Sequence, residues 1–180
     1  MRLLRTIRLD PSDTFVFERA AEPGEWAVPG AFAFAQADVV GLSGKARAAF
    51  RSGFLGIDSI GWSTLVQVVE ASEADRMAAV DLLAQRLVEH FGAPDLASAR
   101  PAAEEEMSFA STLTDHPKGM LVAIARKYED GGIREVFRTL APSIGPKPIR
   151  AYAFLEVVGE EDTVTEQVDL LTLGKESSRE

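Results

Sequence analysis

Met77, Val80, Leu83, Leu87 and Phe91 recur every three or four positions, the spacing of one buried helix face. Ser72-Glu73-Ala74-Asp75 just before them predicts a capping box, in which a serine accepts an orphan backbone N–H and an acid reaches back. Gly92 supplies a left-handed C-terminal position and Pro94 prevents continuation. Ahead of this helix, residues 63–69 are apolar and rich in β-branched side chains, which predicts a buried strand. A second helix is expected to start near Pro101, a residue suited to a first turn, with Glu104, Glu105 and Glu106 close enough to its N-terminus to gain from the helix dipole.

Toward the N-terminus, residues 2–9 alternate imperfectly through Leu3, Ile7 and Leu9 and predict a strand. Phe15-Val16-Phe17 is a short apolar run, Glu22-Pro23-Gly24 a turn, and residues 26–34 read as extended around Pro29-Gly30. Residues 43–51 change to a helical pattern, with Ala46, Ala49 and Phe50 on one side. The last third reads as strands: an apolar run over 119–128, a turn at Glu129-Asp130-Gly131-Gly132, and a return over 133–140. Ile133, Val136, Phe137 and Leu140 also fit a helix stripe, but the turn chemistry favours a strand. Further strands are expected over 149–158 and 166–173. Hairpins flanking mid-chain helices predict an α+β fold, an antiparallel or mixed sheet against two to three helices. Residues 1–173 are expected to form one domain and 174–180 a disordered acidic tail.

Composition narrows the function classes. The net charge is −9, and residues 156–180 carry −6 of it, so the main body is nearly balanced. An acidic chain without a basic stripe is repelled by a phosphate backbone, which argues against nucleic-acid binding. The lack of cysteine excludes disulfides, thiolate catalysis and thiolate-bound metals. With only His90 and His116, a His-rich metal site is not expected, and no cofactor is expected. No run approaches the roughly 18 apolar residues of a membrane span, and the N-terminal residues lack the apolar core of a signal peptide. A cytoplasmic location is expected.

The candidate chemistry gathers in residues 29–62, where Lys45, Arg47 and Arg51 sit among glycines and large apolar residues. Ser43-Gly44-Lys45 resembles a phosphate loop but fails at both ends, with Val39 upstream and Ala46 after the lysine. A looser anion site at a helix start remains open, beside the plainer reading of a solvated cationic face that pairs with the acidic tail. Phe54, Leu55, Ile57 and Trp62 lie between Gly53, Gly56 and Gly61, a stretch that either tucks into the core or meets a partner. Asp58, Ser59 and Ser63 would be its polar groups. His116, in Asp115-His116-Pro117, reads as part of a turn, and His90 as the basic end of a helix. Three consecutive glutamates on a helix point three ways and cannot converge unaided on one ion. No serine lies in a G-x-S-x-G elbow.

Two functions follow. The first is a non-catalytic accessory protein that binds another protein or itself, with Phe54, Leu55 and Trp62 as anchors and Arg47 and Arg51 on the rim. The second is a pocket or enzyme for an anionic metabolite over residues 45–62, with Lys45, Arg47 and Arg51 holding the anion and Ser59 or Ser63 orienting it. The runs LLRTIRLDPSDTFVF, GEWAVPG, GKARAAFRSGFLG and GWSTLVQV resemble a small proteobacterial family of unknown function, and the likeness covers most of the chain. It implies an accessory role in molybdoenzyme or cofactor-enzyme assembly and supplies no catalytic residue.

Overall fold

The computed structural model describes residues 1–142 and 155–157. Strand β1 (Arg2–Ile7) is followed by a short helix α1 (Ser12–Val16), strand β2 (Ala27–Val28) and a 3-10 turn (Ala31–Phe34). Helix α2 (Gly44–Ser52) leads through β3 (Phe54–Gly56) and β4 (Trp62–Ser63) into β5 (Leu65–Glu70). Helices α3 (Glu73–His90) and α4 (Leu96–Thr112) come next, then β6 (Leu121–Glu129), β7 (Gly132–Pro142) and β8 (Leu155–Val157). The fold is α+β, with one five-stranded sheet in the order β1-β5-β6-β7-β8 and one three-stranded sheet in the order β2-β3-β4. All these strand pairs are antiparallel.

Register decides which side chains meet. Leu4 faces Val68, Val66 faces Val122, and Ile124 faces Phe137, so these residues share one face of the large sheet. That face forms the main core with Phe54, Leu55 and Ile57 and with the buried stripes of α3 and α4, including Leu83 and Met107. Helices α3 and α4 pack against one another. A second cluster, Phe17, Phe34, Ala49 and Phe50, lies under α1, the 3-10 turn and α2.

The cap signals of α3 hold, and Val80, Leu83 and Leu87 of its expected stripe are buried with Phe91 packed against the core, whereas Met77 in the first turns is 50% exposed. The Asp75 N–H donates to Ser72 Oγ at 3.1 Å, and the Ser72 N–H returns to Asp75 Oδ2 at 2.9 Å. The Ser72 hydroxyl, donating to Asp75 Oδ2 at 2.7 Å, and then the Ser72 N–H hold the Asp75 carboxyl below its ordinary pKa. Gly92 takes φ +79°, and the Ala93 N–H returns to the Leu87 carbonyl. Residues 133–140 lie in strand β7. Asp130 and Gly131 both have positive φ, 52° and 77°, giving the two-residue turn whose twist matches a hairpin.

Other expectations need correction. Only Ala27–Val28 of residues 26–34 is strand, because Gly30 enters the left-handed region at φ +79° and starts the 3-10 turn. Helix α4 begins at Leu96, five residues before Pro101, because Asp95 caps it: the Ser98 N–H and hydroxyl both donate to the Asp95 carboxylate, at 2.8 and 2.6 Å. The three glutamates therefore lie mid-helix, beyond reach of the N-terminal dipole. Residues 12–16, which carry no helical stripe, form α1. The strand expected over 166–173 and the tail over 174–180 lie outside the described residues, as does most of the strand expected over 149–158.

Candidate functional site

Helix α2 buries Ala49 and Phe50 and exposes Lys45, Arg47 and Arg51. At about 100° per residue, Arg47 and Arg51 stand on one side of the helix and Lys45 on another. None of the three side chains makes a hydrogen bond or ion pair among the described residues. The cations singled out in the sequence are thus an exposed Arg47–Arg51 pair with Lys45 apart.

The apolar half of the predicted site is elsewhere. Phe54 and Leu55 are fully buried, because β3 is the central strand of the small sheet. They offer no surface to a partner. Trp62 is half-buried and stacks on Phe34 at 5.1 Å between ring centres. Ser59 lies in the turn between β3 and β4, where its Oγ accepts the Gly61 N–H at 3.0 Å. Ser63 is buried and donates to the carbonyls of Leu65 and Ile7. The turn's upward-pointing amides are also occupied, since the N–H groups of Asp58 and Ser59 donate to Glu25 Oε2 at 3.1 and 2.9 Å. The carboxylate that this turn can hold is the chain's own.

Between the two clusters lies a polar node that sequence reasoning missed. Arg126 is 3% exposed, on the core face of β6 in phase with Val122 and Ile124. Its guanidinium donates to the carbonyls of Phe50 and Gly53 at 3.1 and 2.7 Å, and to that of Pro29. Its Nε donates to Glu135 Oε1 at 2.7 Å across the hairpin. Phe34 and Trp62 lie about 6 Å from it, ring centre to guanidinium carbon, within cation–π range. Glu106, from α4, accepts the Gly30 N–H at 3.1 Å. Residues 29 and 30 are thereby held from both sides, and Gly30 cannot be replaced freely: an added Cβ would stand 2.7 Å from Leu55 Cβ. Burial raises the Glu106 pKa, and the Gly30 bond works against that shift. Burial lowers the Arg126 pKa, opposed by Glu135.

One signal in the sequence could have found this node. A two-residue turn at Asp130-Gly131 fixes Arg126 opposite Glu135, and the alternation Val122, Ile124, Arg126 puts a charge at a core position. Glu104, Glu105 and Glu106 diverge: Glu104 pairs with Arg100 at 3.4 Å, Glu105 is exposed, and Glu106 turns inward. His90 closes the last turn of α3, and the His116 carbonyl accepts Arg2 Nη1.

The node organises an outer surface. Helix α1 packs against α2 and is anchored by buried Asp13, which accepts the Thr64 hydroxyl at 2.5 Å and its N–H at 3.2 Å. Phe17 goes inward, whereas Phe15 and Val16 go outward, Phe15 at 73% exposure. Val40, in the loop leading to α2, is 76% exposed. Two shallow depressions, one beside Met1 and Glu70 and one beside Asp81 and Arg100, include no residue of 29–62. Among the described residues no helix is long and apolar enough to cross a membrane.

The chain belongs to the family described as Family of unknown function (DUF6505), whose model matches residues 1–151. No curated protein and no solved structure matches it.

Proposed function

We propose that this protein is a non-catalytic, cytoplasmic accessory that binds another protein through the face of α1 and α2, during assembly of an enzyme. What carries this reading is the exposed Arg47–Arg51 pair, without an ion pair among the described residues, on a helix packed against α1, which carries the outward-facing Phe15. Phe15 and its neighbour Val16 are exposed together, and aromatic and arginine residues dominate interface energetics. The anchors are Phe15, Val16 and Val40 in place of Phe54 and Leu55. The partner it fits presents an apolar socket rimmed by carboxylates.

A photoreactive residue at position 15 tests this in native cells, with one at exposed Ala125 on β6 as the control. The expected result is a discrete adduct from position 15 that disappears on Arg47→Glu/Arg51→Glu in a protein of unchanged melting temperature. Equal adducts from both positions, or an adduct indifferent to the charge reversal, sinks the proposal. The anionic-metabolite reading has less support, because Ser59 and Ser63 are committed to backbone groups and Glu25 already fills the adjacent amides.

A further inference from the structure

We infer that the same face of α1 and α2 binds the acidic C-terminal segment of its own chain, residues 158–180, and that this segment competes with the partner. The inference rests on the reading above that this face is a binding surface. Three observations support it. The first is charge. Lys45, Arg47 and Arg51 have no carboxylate partner among the described residues, whereas Arg100 pairs with Asp81 at 2.6 Å and Arg134 with Glu129 at 3.5 Å. Residues 158–180 hold seven acids, Glu160, Glu161, Asp162, Glu166, Asp169, Glu176 and Glu180, against Lys175 and Arg179.

The second is pattern. Within that segment the acids Glu166 and Asp169 are interleaved with Val164, Val168, Leu170, Leu171 and Leu173. A surface that combines cations with exposed Phe15, Val16 and Val40 matches both kinds of side chain. The third is reach. Strand β8 ends at Val157, and the 23 residues that follow span up to about 75 Å when extended. That exceeds the roughly 30–40 Å width of a domain this size. A rival site exists on the opposite face of the sheet from Arg126, where exposed Lys127 and Arg138 also have no ion pair among the described residues. It offers two cations, as the Arg47–Arg51 side of α2 does, but only Val136 as an exposed large apolar side chain, where α1 offers Phe15 and Val16.

The chain has no cysteine, so Thr172→Cys in the full-length protein gives one attachment point for a spin label. The readout is paramagnetic loss of amide intensity across the molecule. Loss confined to residues 12–16 and 40–52 is expected. It should vanish with Arg47→Glu/Arg51→Glu and at about 1 M salt, where the screening length falls to about 3 Å. Loss centred on β6 and β7, loss unaffected by charge reversal, or loss that fades when labelled protein is diluted with unlabelled would each overturn the inference, the last by assigning the contact to a second copy. The partner adduct at position 15 is a separate readout, so either idea can fail while the other stands.

Discussion

Helix α3 sinks Ala79, Val80, Leu83, Ala84 and Leu87 into the main core, and both of its ends are closed by residues that flank it. Helix α2 buries only Ala49 and Phe50, and its last carbonyls are closed by Arg126, more than seventy residues away. Both helices are stable parts of one fold, yet they depend on different physics. The attachment of α3 is apolar area, which is non-directional and spread over many contacts. That of α2 is one charged group satisfied by several carbonyls, where losing a single partner strands the rest in a dry environment. A region held in the second way is rigid while the node is intact and loosens as a unit when it is not.

The sharpest way to break this contrast is Arg126→Met. It leaves Glu135 half-buried without its partner and the carbonyls of Phe50 and Gly53 without a donor. Removing one member of a buried pair typically costs about 3–5 kcal/mol. Urea unfolding should show that loss, and hydrogen exchange should show residues 44–56 losing protection ahead of α3. Simultaneous loss in both helices would mean that α2 does not depend on the node. Leu83→Ala probes the other side. It should cost about 3 kcal/mol, in the range of buried Leu→Ala substitutions, and lower protection in α3 and the large sheet alike.

A smaller effect compares a local cap with a distant one. Ser72→Ala removes the capping box of α3 and should cost about 1 kcal/mol. The melting temperature should fall slightly, with the order of exchange unchanged; selective fraying of α2 in this variant would contradict the division drawn here. The smallest effect is a pH slope. Glu106 faces Arg126, Glu135, Glu105 and the Gly30 N–H, and burial holds its pKa above the ordinary value. A carboxyl raised on folding contributes fully below its unfolded value of about 4.3, and that contribution is lost as pH rises through the folded one. Wild-type stability should therefore fall relative to Glu106→Gln over that interval. Parallel curves would show that Glu106 is ionised as freely in the fold as outside it.

The same division separates what was readable in the sequence from what was not. The α3 stripe from Val80 to Phe91, its Ser72 cap, its Gly92 stop and the Asp130-Gly131 hairpin are encoded by neighbours within a few residues and were legible, whereas the stripe's first member, Met77, is exposed. So was the exposure of Arg47 and Arg51 on one helix side. Phe54 and Leu55 misled because an apolar run looks the same whether it lines a surface or a central strand; burial is decided by β2 and β4, which are too short to show a pattern. Pro101 misled because its preference for a first turn is weaker than the Asp95–Ser98 cap. Phe15 carried no signal, since its outward direction depends on Asp13 meeting Thr64 fifty-one residues later.

The distance between Arg126 and its acceptors also sets an order of events on the ribosome. Strand β1 can pair with β5, and α3 can close both its caps, once the first ninety or so residues have emerged. Helix α2 emerges earlier than either, but its terminal carbonyls and that of Pro29 wait for residue 126 to clear the exit tunnel. At about 5–20 residues per second, the interval between Gly53 and Arg126 lasts several seconds. During it, the segment that carries the exposed Arg47–Arg51 pair is the one whose final shape is not yet locked.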